Sequence, residues 1–243
     1  MSTRKNQRLL LCLTVLLAAA AAFSLSFRSP YSYQAQRTTA VPVIDGKIDP
    51  VWNDKPADTL SAITYGSEFR TSDKDLLGTL KTLWDDRALY VLVQVDDDRV
   101  FKPARSGDAY EWLNAWDTDN VELYFRTPPR DADTTKTEVA QLRFVYGVES
   151  ISGNVNGIDT TRIAFRMVPT ERGYVLEAAI PWQELRLNPG GDPVVHFDVL
   201  VYDNDKHGPN GLLTSRETTL GLSPHSQTAV EEPANYAELL LVH

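Results

Sequence analysis

The chain has 243 residues, 42% hydrophobic and 23% charged, a balance that suits a folded domain. Its 33 Asp and Glu outnumber 24 Lys and Arg, giving a net charge of −9, and no basic run interrupts them; this argues against nucleic acid and anionic membrane surfaces as partners. The single cysteine, Cys12, leaves the rest of the chain without thiolate catalysis, thiolate zinc sites or iron–sulfur clusters.

Residues 1–8 carry Arg4, Lys5 and Arg8, residues 9–23 are apolar apart from Thr14, and small residues follow. This is the tripartite layout of a secretory signal. Extended to Phe27, the same run has 19 residues with Thr14, Ser24 and Ser26 its polar members, which is also long enough for a membrane anchor. Both readings stay open for 1–27, and both place the rest outside the cytoplasm, secreted or in the periplasm or cell envelope. Cys12 lies too close to Arg8 for a lipoprotein signal. Without the leader, 21 Lys and Arg face 33 acids, a net charge of −12. Residues 28–40 read as a short linker and 41–243 as one domain, stabilised without disulfides by its core or by bound ions.

From about residue 40 the apolar period is two. Strands are predicted at 80–84, at 89–95 with Leu89, Val91, Val93 and Val95 on one face, and at 121–126 with Val121, Leu123 and Phe125 inward and Glu122, Tyr124 and Arg126 outward. Others follow at 141–144, 163–168, 174–180, 195–202, 214–220 and 237–242. Gly, Pro, Asn and Asp clusters at 127–133, 153–157, 188–193 and 203–211 separate them. Two short helical turns, 50–53 and 181–185, each begin with Pro. The fold class expected is all-β, one antiparallel β-sandwich of jelly-roll or immunoglobulin-like type.

The motifs of common enzymes, G-x-S-x-G, H-E-x-x-H, the phosphate-binding glycine loop and G-x-G-x-x-G, do not occur. Carboxylate pairs such as Asp117/Asp119 and Asp203/Asp205 abound, but turns favour Asp, and 33 acids produce such pairs by chance. Asp96-Asp97-Asp98 and Asp203-Asn204-Asp205 are oxygen-rich enough to be considered for calcium, or serve as turn chemistry. More informative are Trp112, Trp116, Glu122, Tyr124, Gln141 and Arg143, on or just before two predicted strands. If these strands pair antiparallel, Glu122, Gln141 and Arg143 converge on one patch, with Trp116 in the loop that feeds it. Sugars bind such surfaces, a C–H face stacking on an aromatic ring while amide and charged groups bond the hydroxyls. The same residues equally make a core-edge Trp and a cross-strand Glu–Arg ion pair.

Six blocks in order resemble the family 9 carbohydrate-binding module and its wider group of family-9-like domains: VIDGKIDPVW (43–52), LWDD (83–86) with LYV (89–91), WDTDNVELYF (116–125), AQLRF (140–144), GYVLEAAIPW (173–182) and FDV (197–199). They run through nearly all of 41–243. The resemblance implies a β-sandwich that sandwiches a terminal sugar between two Trp rings. Trp116 would be one ring, Glu122 the carboxylate and Arg143 the guanidinium, with Gln141 nearby. The loop of the second ring reads SPHSQTAVEEP (223–233) and contains no Trp: Val230 stands where the ring would be, and Gln227 takes the place of an amide that bonds sugar hydroxyls. His225 or Tyr236 would supply the missing wall if the loop folds over. The resemblance also implies calcium, without fixing its ligands, and association with glycoside hydrolases. The functions expected are therefore an exported, non-catalytic protein binding a sugar or polysaccharide chain end, or an exported interaction or envelope domain that kept the sandwich and lost the sugar. Haem-binding relatives are a further alternative, for which Met167 is the one methionine beyond the leader, on a strand where it reads inward.

Overall fold

The structure, a computed structural model, describes residues 31–102, 105–106, 109–110, 117–129, 138–205, 216–224 and 236–243. In chain order the strands are β1 (Ser32–Arg37), β2 (Asp58–Leu60), β3 (Ala62–Tyr65), β4 (Leu76–Trp84), β5 (Ala88–Asp97), β6 (Arg105–Ser106), β7 (Ala109–Tyr110), β8 (Asn120–Thr127), β9 (Glu138–Val145), β10 (Ile151–Ser152), β11 (Ala164–Thr170), β12 (Gly173–Pro181), β13 (Val194–Asp203), β14 (Thr218–Gly221) and β15 (Ala237–Val242). A 3-10 turn at Pro50–Trp52 and the one-turn helix α1 (Trp182–Leu185) stand where the two prolines predict them. Among the described residues no helix is long and apolar enough to cross a membrane.

Thirteen strands form one sheet in the order β10–β9–β8–β13–β15–β1–β4–β5–β12–β11, with β14 joining β13 to β3 and β2 flanking β4. The sheet curls so that its two halves share a core. Val121, Leu123, Phe125, Leu142 and Phe144 from β8 and β9 belong to the same buried cluster as Val91, Val93, Leu176 and Ile180 from β5 and β12. This is the all-β sandwich that the period of two implies. Its pairings are antiparallel with one exception: β1 runs parallel to both β15 and β4, and so joins the two halves. The stretch 28–40, expected as a linker, thus holds a central strand. SYQAQR buries a single residue fully, Ala35, and partners distant in sequence hold it, so no local apolar pattern marks it. β5 departs from simple alternation as well. Leu89, Val91, Val93 and Val95 face the main core as expected, but Tyr90 and Leu92 are buried too, against Trp52, Leu83 and Val175. Met167, half-buried, packs against the main core.

The 43–52 segment is clipped to β12 through a glycine. Gly46 has φ +87° and donates its N–H to Glu177 Oε2 at 2.8 Å, while Glu177 itself has no exposed surface. A Cβ at Gly46 would stand 2.6 Å from Val168 Cγ1. Gly46→Ala is expected to cost about 1–2 kcal/mol for the left-handed backbone alone, with more from displacing Val168. A lower urea midpoint at unchanged m-value is the expected result; an unaltered midpoint contradicts it.

Candidate functional site

β8 divides its side chains between two faces. Val121, Leu123 and Phe125 enter the main core, and Glu122 and Tyr124 point the other way. On one side Glu122 lies opposite Arg143 and Tyr124 opposite Gln141; on the other, Glu122 lies opposite Leu200 and Tyr124 opposite Asp198. The antiparallel pairing of β8 with β9 thus brings Glu122, Gln141 and Arg143 onto one patch. The face they share is largely covered, with Gln141 half-buried at its edge. Glu122 has no exposed surface, Arg143 is 8% exposed, and Tyr124, Leu200, Tyr202 and Tyr236 form a buried cluster beside them. Residues read as outward from alternation therefore form a second, polar interior layer.

The Glu122 carboxylate is fully engaged. Arg143 Nε donates to Oε1, and the Tyr124 hydroxyl and Gln141 Nε2 (3.0 Å) donate to Oε2. Gln141 Nε2 also reaches the Tyr124 oxygen at 3.0 Å, and its Oε1 accepts from the Asn154 N–H at 3.3 Å. Burial, followed by the Glu122 charge, pushes the Tyr124 phenol up and keeps it a donor. A charged carboxylate and guanidinium are held in fixed geometry by an amide and a phenol, the arrangement a polyhydroxyl ligand needs from its hydrogen-bond partners.

Two loops are rooted at this face. Asp117, just after Trp116, accepts on its carbonyl from Asn204 Nδ2 at 2.5 Å and on its carboxylate from the Arg216 N–H at 3.5 Å. The 223–233 loop leaves from Ser223, whose hydroxyl bonds Asp198 at 2.6 Å, and the chain returns at Tyr236, whose ring meets Tyr124 edge-on with centroids 6.3 Å apart.

A second group of titratable residues lies at the end of the sheet where β5 and β13 finish and β8 begins. Carboxylate oxygens of Asp97, Asp119 and Asp203, all buried, lie within 4.8 Å of one another. The same holds for Asp75, Asp98 and Asp205 beside them. Asp119 accepts the N–H groups of Phe101 (2.6 Å) and Asn204 (2.8 Å). Among the described residues, Asp97 Oδ2, Asp203 Oδ1 and the buried Tyr174 hydroxyl have no hydrogen-bond partner. Burial, then the charges of Asp205, Asp98 and Asp75, raises Asp97 to about 7. Burial, then Asp97 and Asp119, raises Asp203 to about 9, and Asp119 is pushed well above the usual carboxylate range by burial and Asp97. Orphaned buried oxygens and mutual repulsion in an all-oxygen donor set fit a hard cation such as calcium. The two separate candidates 96–98 and 203–205 converge here. Asp119 and Asp75, which complete the two trios, come from distant turns that no local spacing links to them.

Residues 44–242 match the family described as carbohydrate family 9 binding domain-like. The chain belongs to that family. Among relatives of this family 9 domain, exoglucanase XynX of Acetivibrio thermocellus is 32% identical over 187 residues, covering 75% of this chain and 16% of that protein. Endo-1,4-beta-xylanase A of Thermotoga maritima is 28% identical over 201 residues, 83% of this chain and 17% of that protein. The family 9 domain thus spans about a sixth of the length of the curated relatives it matches. A family 9 carbohydrate-binding module from Caldicellulosiruptor kristjanssonii in complex with cellotriose superposes with a TM-score of 0.64 at 22% identity, over 87% of this chain and 93% of that one. The module in complex with glucose gives 0.62 at 22% identity, over 86% and 95%. These likenesses show the shared sandwich.

Of the residues the sequence singles out, Glu122, Gln141 and Arg143 come together, while Trp116 and Gln227 lie outside the described residues, as do His225 and Val230. Tyr236 does not serve as an exposed wall: at 1% exposure its ring is buried in the cluster with Tyr124 and Tyr202. Tyr124, one of the aromatic and polar group the sequence singles out, belongs to the face, and so does Tyr202, which the sequence marks only as a strand residue. Their signal in the sequence was an aromatic on the polar side of a strand.

The acidic cluster sets a pH dependence of unusual sign. Each raised carboxyl binds its proton more tightly in the folded than in the unfolded chain, so its charge adds no penalty below the ordinary value of 3.8. The penalty grows as pH rises through about 7 for Asp97 and about 9 for Asp203. In chelator the Tm is expected to fall between about pH 5 and about pH 9, and calcium to restore it by an amount that grows with pH. A calcium effect that does not grow over this range contradicts the cluster as its seat.

Proposed function

We propose that this family 9 domain is an exported, non-catalytic carbohydrate-binding protein that takes a sugar or polysaccharide chain end on the Glu122 face. The observation that carries the reading is the convergence of Glu122, Gln141 and Arg143 between the roots of the two loops that contain Trp116 and Gln227. Arg143 and Gln141 supply directional bonds to hydroxyls, and Trp116 a ring for the sugar's C–H face. Binding needs no chemical step, and a carboxylate already committed to an arginine, an amide and a phenol is a poor acid or base. Similar domains hold cellotriose and glucose, and relatives are named as exoglucanase and xylanases, so gluco- and xylo-sugars are the ligands to try. Calcium at Asp97, Asp119 and Asp203 would neutralise the buried charge and pin the ends of β5 and β13 to the turn that leads into β8. Export rests on the charged, apolar and small-residue pattern of 1–27, cleaved as a signal or kept as an anchor, with the sandwich following it.

One observation favours a second reading, an envelope or interaction domain without a sugar: the 223–233 loop has no Trp to form the second wall. Fluorescence separates the two. Trp52, Trp84 and Trp182 are at most 3% exposed, so a ligand-induced shift reports the remaining two tryptophans, Trp112 and Trp116. Titration with glucose, cellobiose, xylose and xylobiose in calcium is expected to give a saturable shift. Trp116→Ala and Arg143→Lys, the latter keeping the charge that balances Glu122, are each expected to weaken affinity roughly tenfold or more. A folded protein with no shift for any sugar rejects the sugar reading in favour of the interaction domain.

A further inference from the structure

The acidic cluster and the Glu122 face share one short stretch of chain. Asp119 lies three residues after Trp116 and three before Glu122. It is buried and tied on both its side chain and its main chain: the carboxylate accepts the N–H groups of Phe101 (2.6 Å) and Asn204 (2.8 Å), and the carbonyl accepts that of Tyr146 at 3.0 Å. Asn204, which has no exposed surface, faces two ways. Its main-chain N–H holds the Asp119 carboxylate, and its Nδ2 donates to the Asp117 carbonyl at 2.5 Å. One buried residue therefore grips a carboxylate of the acidic trio and the residue next to Trp116. The trio itself points to a cation, since Asp97 Oδ2 and Asp203 Oδ1 are buried with no hydrogen-bond partner among the described residues.

We infer that Asn204 makes sugar affinity depend on calcium, by passing the position of Asp119 in the acidic cluster on to Asp117 and so to the segment that contains Trp116. The inference rests on the sugar reading above and adds to it a means of regulation. The physical argument starts from repulsion. Three buried carboxylates whose oxygens lie within 4.8 Å of one another, without a cation, relieve their repulsion by moving apart or by taking up protons. Either change loosens the hold of Asp119 on Asn204, because a neutral carboxyl is a weaker acceptor than a charged one. A bound cation keeps the three together and charged. The element with two states is the Asn204–Asp117 bond, made when the cluster is closed and lost when it opens. With the bond made, a sugar meets Trp116 on a segment whose root is already fixed, and its apparent affinity is not reduced by the fraction of molecules in which that root is loose. Linkage then requires the reverse effect: a bound sugar tightens calcium by the same factor.

The test is a thermodynamic cycle on the full chain, at matched ionic strength and below the melting temperature in chelator. Cellobiose and xylobiose are titrated calorimetrically in chelator and in calcium, and calcium is titrated with and without saturating sugar. Wild type is expected to bind sugar about five- to tenfold more tightly in calcium, and to bind calcium more tightly by the same factor when sugar is present. Asn204→Ala and Asn204→Ser keep the main-chain bond to Asp119 and remove the side-chain bond to Asp117. Both are expected to lose the dependence, their sugar affinity in calcium falling to the wild-type value in chelator. Calcium is still expected to raise their Tm, which a merely destabilised cluster would not allow. A variant that keeps the wild-type factor overturns Asn204 as the link. Wild type that binds sugar equally with and without calcium overturns the coupling, whatever the variants do, and leaves the Glu122 face standing. Wild type that binds neither sugar in calcium overturns the sugar reading and the coupling with it.

Discussion

Glu122 stands in the middle of a β-sheet with no exposed surface, and a carboxylate in that position persists only if its charge is met at short range. Arg143 meets it directly across the strand pair, and Tyr124 and Gln141 complete the remaining lone pairs. Removing one partner of such a buried pair typically costs about 3–5 kcal/mol, far more than a surface ion pair contributes. The strand register is therefore not free. A shift of β9 by one residue along β8 would turn Arg143 into the apolar core and leave Glu122 against a hydrophobic neighbour. The polar layer and the apolar layer of the sandwich specify the same alignment from opposite sides.

The carboxylate cluster works by the opposite logic. Glu122 carries its counter-charge within the sheet, whereas Asp97, Asp119 and Asp203 face one another with no arginine or lysine paired to them among the described residues. Folding brings them together at the end of the sheet nearest the Trp116 loop, and Asp119 is three residues along the chain from Glu122. A cation there would act on the binding face through rigid connections: Asp119 through Asn204 to Asp117, and Asp117 to Arg216. Hydrogen bonds thus connect the ends of the strands to the root of the loop.

Much of this is legible in the sequence. The long strands declare themselves by alternation, the two prolines mark the helical turns, and Glu122, Gln141 and Arg143 share a face as soon as their strands are paired. The failures have physical reasons. β1 is short, polar and parallel, and is held by strands more than forty residues away in sequence, so it resembles a linker. Alternation on β8 separates one face from the other but does not say that both are buried, so the pattern alone points Glu122 and Tyr124 toward solvent. Arg216 and Tyr65 lie about 150 residues apart and meet only through β14, a contact no motif encodes. The same distance hides the joining of the 96–98 and 203–205 acids with Asp119.

The most direct test of the central claim is a crystal structure of the calcium-loaded protein soaked with cellobiose. A sugar ring within hydrogen-bonding distance of Arg143 and Gln141, stacked on Trp116, is the expected result. A sugar seated on another face, or an empty Glu122 face in a protein that binds the same sugar in solution, contradicts it.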